Sequence, residues 1–170
     1  MVATFASAGA PPTPHLIGLD PEMEAELLAA YRDPEPRVAL GRSLALDGLA
    51  RAAIDVSDGL GLDAARLARA SGVRIVLERN RLPLSPALAA YAEVESLDPI
   101  RLVLSGGDDY ELLFAAPPEA ESKLSAGSAA WGTRVRRIGA CEEGSGAVLR
   151  DEAGERDIAD LGFDHLARRP

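Results

Sequence analysis

The run Ala52-Ala53-Ile54-Asp55-Val56-Ser57-Asp58-Gly59-Leu60 changes character in its middle. Its first half is small and branched apolar residues without polar alternation, the pattern of a strand buried on both faces. Its second half reads as a helix entrance, with Ser57 and Asp58 as candidate N-caps and Gly59 to turn the backbone. Leu60, Ala64, Leu67 and Ala68 then recur at helical spacing and form one apolar stripe. Ser71-Gly72 closes that helix with a residue able to take positive φ. A strand that feeds directly into an amphipathic helix excludes an all-helical or all-strand architecture for this part of the chain.

Asp55 and Asp58 therefore sit where helix-terminal N–H groups and the helix dipole favour phosphate. Carboxylates repel phosphate, so the arrangement makes chemical sense if a hard cation lies between them. Mg²⁺ bound by one or two carboxylates and by substrate phosphates fits that description. The plainer alternative is that Asp58 caps the helix and Asp55 ends a solvated strand.

Charge and composition narrow the field of partners. A net charge of -9 would repel a nucleic-acid backbone, so no nucleic-acid partner is expected. Cys141 is the only cysteine, which rules out an internal disulfide or a cysteine zinc cluster and suits a reducing, cytoplasmic setting. No apolar stretch approaches the roughly 20 residues of a membrane span, so no membrane partner is expected, and Met1 to Ala10 lack the basic start of a signal peptide. Lys123 is the only lysine and no G-x-x-x-x-G-K-[ST] run occurs, which excludes the kinases built on that loop. His15 and His165 offer no zinc spacing.

Residues 1–19, with Pro11, Pro12 and Pro14, read as a flexible lead-in, and residues 20–170 as one domain. Asp20-Pro21 with Glu22 and Glu24 marks a helix start, and Asp33-Pro34-Glu35-Pro36 its end. A short helix is expected within 38–49, interrupted near Gly41 and Gly48. Strands are expected over 73–77 and 110–116, and helices over 87–91 and 118–130. Residues 100–104 fit either state. Residues 135–141 and 147–151 flank Glu142-Glu143-Gly144-Ser145-Gly146 as a hairpin, with Arg134, Arg136 and Arg137 on its first strand and a second turn at 151–155. Asp63 reads as a dipole partner of its helix, Tyr110 as a core residue and Trp131 as packing at a helix end. Strands mixed with helices, then a strand-rich end, predict an α+β fold with a mixed β-sheet packed on α-helices.

Gly106-Gly107-Asp108-Asp109-Tyr110-Glu111-Leu112 repeats the chemistry of the first run, with a glycine pair that lets a ligand approach the backbone and acids that follow at once. Alone it would pass for a surface turn. Together, Ile54-Asp55-Val56-Ser57-Asp58-Gly59-Leu60, Ser105 to Leu112, and Gly162-Phe163-Asp164-His165 resemble the C-terminal domain of the thiamine-monophosphate kinase family, within the aminoimidazole ribonucleotide synthetase superfamily. The order and spacing of the three motifs agree, and the resemblance covers the chain from about Asp20 onward.

That resemblance implies an ATP-dependent kinase that phosphorylates thiamine monophosphate to thiamine diphosphate with Mg²⁺. It implies Asp55 and Asp58 as metal ligands, Ser57 as an ATP contact, and Asp108 and Phe163 as substrate contacts. It places no catalytic side chain in this half. Asp108 stands where the family usually has glutamate, one methylene longer, and Leu166 where an aromatic is usual. The family's N-terminal, ATP-binding domain has no counterpart here, so the chain is expected to be inactive alone. It would work with that domain or a separate partner chain, or pair with itself through an exposed apolar face. Two alternatives are a stand-alone, non-catalytic binding module of the same fold, and another superfamily enzyme acting on a formylglycinamide or selenium substrate.

Overall fold

The structure, a computed structural model, describes residues 18–163. The lead-in as far as residue 17, both histidines, and Asp164 and Leu166 lie outside them. Helix α1 (Pro21–Arg32) starts as its sequence dictates: Pro21 needs no N–H partner, and the Asp20 side chain accepts from the Glu22 N–H at 2.9 Å. Helix α2 (Val38–Leu46) runs through Gly41 without interruption and stops before Gly48, whose φ is +62°. One glycine costs a helix only about 1 kcal/mol, and the buried Leu40 and Leu44 offset that.

Strand β1 (Ala52–Val56) pairs antiparallel with β3 (Glu111–Ala115), setting Asp55 opposite Leu112 and Val56 opposite Glu111. The expectation of a strand buried on both faces is corrected. Val56 is buried, but Ala53 and Asp55 are exposed. Among the described residues β1 has a single strand neighbour, so its apolar composition serves one covered face only. Leu112 and Phe114 on β3 pack with Leu40, Leu44, Leu49, Ala120 and Leu124 in a small second core. Helix α6 (Glu121–Trp131) closes it, and the Trp131 Nε1–H donates to Ser43 Oγ at 3.0 Å.

Helix α3 (Leu60–Ser71) is the centre of the larger core. Leu60, Ala64, Leu67 and Ala68 are buried with Ile75, Leu77, Ala147 and Leu149 from the second sheet. Fully burying one such leucine contributes about 1.5–3 kcal/mol. Gly72 takes φ +65° and returns its N–H to Ala68 and Arg69, as a left-handed cap does. The helix start differs from expectation. Its N-cap is Gly59, with no side-chain cap, so neither Ser57 nor Asp58 fills that place.

The second sheet is mixed, in the order β4-β2-β5-β6, from β2 (Arg74–Glu78), β4 (Gly139–Glu142), β5 (Gly146–Asp151) and β6 (Gly154–Asp157). The expected hairpin between residues 135–141 and 147–151 does not form. Strand β2 lies between β4 and β5, antiparallel to one and parallel to the other. Its run Ile75-Val76-Leu77 is fully buried and belongs in the sheet's interior, not at an edge. The second expected turn, joining β5 to β6, is present. Arg74, Glu78, Glu142, Arg150 and Glu155 form an ion-pair network on the sheet. Arg134, Arg136 and Arg137 are exposed on an irregular stretch before β4, not on a strand.

Helix α4 (Pro86–Val94) is capped by Ser85. The ambiguous residues 100–104 are helical in α5 (Pro99–Ser105), because Asp98 accepts from the Ile100 N–H at 3.0 Å and Pro99 presets the first turn. The architecture is α+β, with mixed strand pairing packed on helices, as the strand and helix pattern predicts.

Candidate functional site

Three turns meet at the C-terminal end of β1. The Asp108 N–H donates to the Ser57 carbonyl at 2.8 Å, the Tyr110 N–H to that of Val56 at 2.8 Å, and the Phe163 N–H to that of Asp58 at 2.7 Å. Such backbone contact demands glycine. A Cβ on Gly107 would lie 2.7 Å from the Ser57 oxygen, and one on Gly162 would lie 2.6 Å from the Asp58 oxygen. The three motifs singled out in the sequence are thus brought together through their main chains.

Asp63 holds the first turn from inside. It is 1% exposed, and its Oδ2 accepts the N–H groups of Ser57 at 3.0 Å and Asp58 at 2.9 Å. Burial pushes its carboxyl above the ordinary value, opposed by those two donors and by Arg66. Arg66 Nη1 donates to Asp63 Oδ1 at 2.8 Å, and the same nitrogen donates to Asp58 Oδ2. Asp63 lies in the first turn of α3, as a dipole partner would, but it is buried and also ties down the preceding turn. Its sequence signal was its position three residues after Leu60, on the inward stripe of α3.

Asp108 and Tyr110 are both non-glycine residues at positive φ, 63° and 51°. Such conformations cost energy and concentrate at functional sites. Tyr110 is not a core residue. It is 47% exposed, and its phenol O–H donates to Asp108 Oδ1 at 3.2 Å. Asp108 pushes the phenol pKa up, first by its charge and then by this hydrogen bond, with smaller contributions from burial and from Asp55 and Asp58. The end of β1 and the turns joined to it by these backbone bonds form one acidic patch that carries Asp55, Asp58 and Asp108. Asp55 is exposed, the Asp58 side chain is 15% exposed, and Ser57 is half-buried between its bonds to Asp63 and Asp108. Phe163 is 46% exposed.

The second motif divides its acids. Asp108 faces this patch, whereas Asp109 and Glu111 are buried and line a cavity of about 250 Å³ with Asp33, Glu35 and Arg37. Arg37 donates bidentately to Glu111, Nε at 3.0 Å and Nη2 at 2.7 Å. The pair clamps the start of β3 to the start of α2. Sequence reasoning reached the acidic motif but not this partner, 74 positions away.

The donors on the patch are hard carboxylate oxygens. Among the described residues no group of three or more His, Cys, Asp or Glu lies close enough to hold a metal by itself.

The fold and the convergence of three glycine-led turns define a domain class: the chain belongs to the AIR synthase related protein family, C-terminal domain, which matches residues 18–152. Its relatives within that class include thiamine-monophosphate kinases. The chain is 39% identical over 146 residues to that of Caulobacter vibrioides, covering 85% of this chain and 41% of the relative. It is 33% identical over 168 residues to that of Pyrococcus abyssi, covering 98% of this chain and 50% of the relative. The solved structure of AaThiL complexed with AMPPCP and TMP superposes with a TM-score of 0.72 at 32% identity, covering 87% of this chain and 43% of that one. The chain spans about half the length of the curated relatives it matches.

Proposed function

We propose that the chain is the C-terminal half of an ATP-dependent kinase that converts thiamine monophosphate to thiamine diphosphate in the cytoplasm, working together with an N-terminal half. The observation that supports this reading is the meeting of the three turns, whose backbone hydrogen bonds join the segments that bear Asp55, Asp58 and Asp108 at the end of β1. The activity of the thiamine-monophosphate kinase relatives and the AMPPCP and TMP of the solved complex support it. The unit proposed for this work is residues 20–170.

In this reading Asp55 and Asp58 hold Mg²⁺, which when bound supplies the charge neutralisation that phosphoryl transfer needs. Ser57 lies in the turn between them and contacts the nucleotide. Asp108 and Phe163 meet the thiamine substrate. Asp108, with its shorter arm, has a left-handed backbone and a carboxylate that accepts from the Tyr110 phenol. No side chain here has to exchange a proton with the reacting phosphate, because positioning and electrostatics carry most of such a transfer. The exposed Val38 and Leu46 on α2 are apolar surface suited to cover by a partner domain or second copy. Calorimetry of the full chain with Mg²⁺-ATP and with thiamine monophosphate tests the reading. Heat with either ligand supports a ligand-binding half, and silence with both would leave a purely structural module. Rapid turnover by the chain alone would refute its dependence on a second half.

A further inference from the structure

Arg66 bridges a buried carboxylate and a partly exposed one. One nitrogen, Nη1, donates to both Asp58 Oδ2 and Asp63 Oδ1, so a single positive centre sits between two carboxylates of different standing. Asp63 is 1% exposed and is tied to the backbone of the Ser57-Asp58 turn, whereas the Asp58 side chain is 15% exposed and faces the patch. Arg66 itself is 31% exposed, so its guanidinium reaches solvent and has room to move. The bond to Asp63 joins residues three apart on one helix, and the bond to Asp58 crosses from helix to turn. The first can persist while the second breaks.

Resting on the assignment of Asp58 as a ligand, we propose that Arg66 is the site's built-in counter-ion. It neutralises Asp58 while no metal is bound and gives up that carboxylate, but not Asp63, when a divalent cation arrives. Two cations cannot share the same carboxylate oxygen without mutual repulsion, so arginine and metal compete. The competition sets metal affinity low in the free chain and makes tight binding wait for the phosphates of a nucleotide, whose negative charge can receive the displaced guanidinium. Arg66 is thus a positioning residue that acts through Asp58.

The test is a titration of the full chain with Mn²⁺ alone, free metal being read by electron paramagnetic resonance, for the wild type and for Arg66→Gln, Arg66→Lys and Asp58→Asn. Arg66→Gln should bind Mn²⁺ about tenfold more tightly, as expected when a competing unit charge leaves. Arg66→Lys, which keeps a cation, should stay close to the wild type. In chelator Arg66→Gln should melt below the wild type, and Mn²⁺ should raise its melting temperature by more. Asp63 keeps two of its three donors in that variant, so the turn survives. Equal or weaker Mn²⁺ binding by Arg66→Gln would overturn the proposal while leaving the metal site standing, provided that Asp58→Asn abolishes binding. If Asp58→Asn binds as the wild type does, the metal assignment falls and the counter-ion role falls with it.

Discussion

Replacing Asp63 by alanine tests how the first turn is held. The carboxylate accepts from Ser57 N at 3.0 Å, Asp58 N at 2.9 Å and Arg66 Nη1 at 2.8 Å, and alanine removes all three while favouring the helix. An N–H left without a partner on burial costs about 1–3 kcal/mol. Both donors are only part-buried, so the lower half of that range applies and the two together cost about 2–4 kcal/mol. The ion pair with Arg66, screened by solvent on one side, adds about 0.5 kcal/mol at most. A loss near 3 kcal/mol is a large share of the roughly 5–15 kcal/mol that stabilises a domain, and it lowers Tm by about 6–12 °C at this length. Urea denaturation followed by circular dichroism reads the loss directly. Asp63→Asn, which keeps one acceptor, should fall between alanine and wild type. An Asp63→Ala midpoint within about 0.5 kcal/mol of wild type, the range of ordinary surface substitutions, would refute the reasoning.

Two further outcomes follow from packing and charge. Gly107→Ala should destabilise by more than Gly72→Ala in thermal melts. The first puts a Cβ 2.7 Å from a backbone oxygen, while the second meets open space and carries only the cost of a left-handed backbone, about 1 kcal/mol. Arg150 and then Arg74 hold the Glu155 carboxyl below its ordinary value, so folding favours its charged form. That stability is complete above the unfolded-state pKa and is lost as pH falls through the lower native one. The difference in urea midpoint between wild type and Glu155→Gln should therefore vanish on acidification.

Local signals in the sequence carried much of the fold. Asp20-Pro21, Ser85-Pro86 and Gly72 each fix an element end by chemistry confined to one turn. Asp98-Pro99 carries the same signal, and it decides the state of residues 100–104. What could not be read was which strands meet. The insertion of β2 between β4 and β5 depends on side chains some 70 positions apart, and a turn-like link between β4 and β5 looks the same whether or not they pair. At the site, two acidic turns and a terminal glycine-aromatic motif were legible. The roles of Asp63, Arg66 and Tyr110 were not, because burial and backbone φ are properties of the assembled turns. Asp63 alone gave a hint, as an acid on an apolar stripe.

The central claim is that Asp55 and Asp58 grip a divalent cation for the phosphates of a nucleotide. Supplying the chain with the N-terminal half of a relative and measuring Mg²⁺-dependent formation of thiamine diphosphate tests it most directly. Asp58→Asn should cut turnover at least about a hundredfold, in keeping with the several kcal/mol that metal-borne charge stabilisation provides, while its melting transition stays intact. Wild-type turnover from Asp58→Asn would contradict the account.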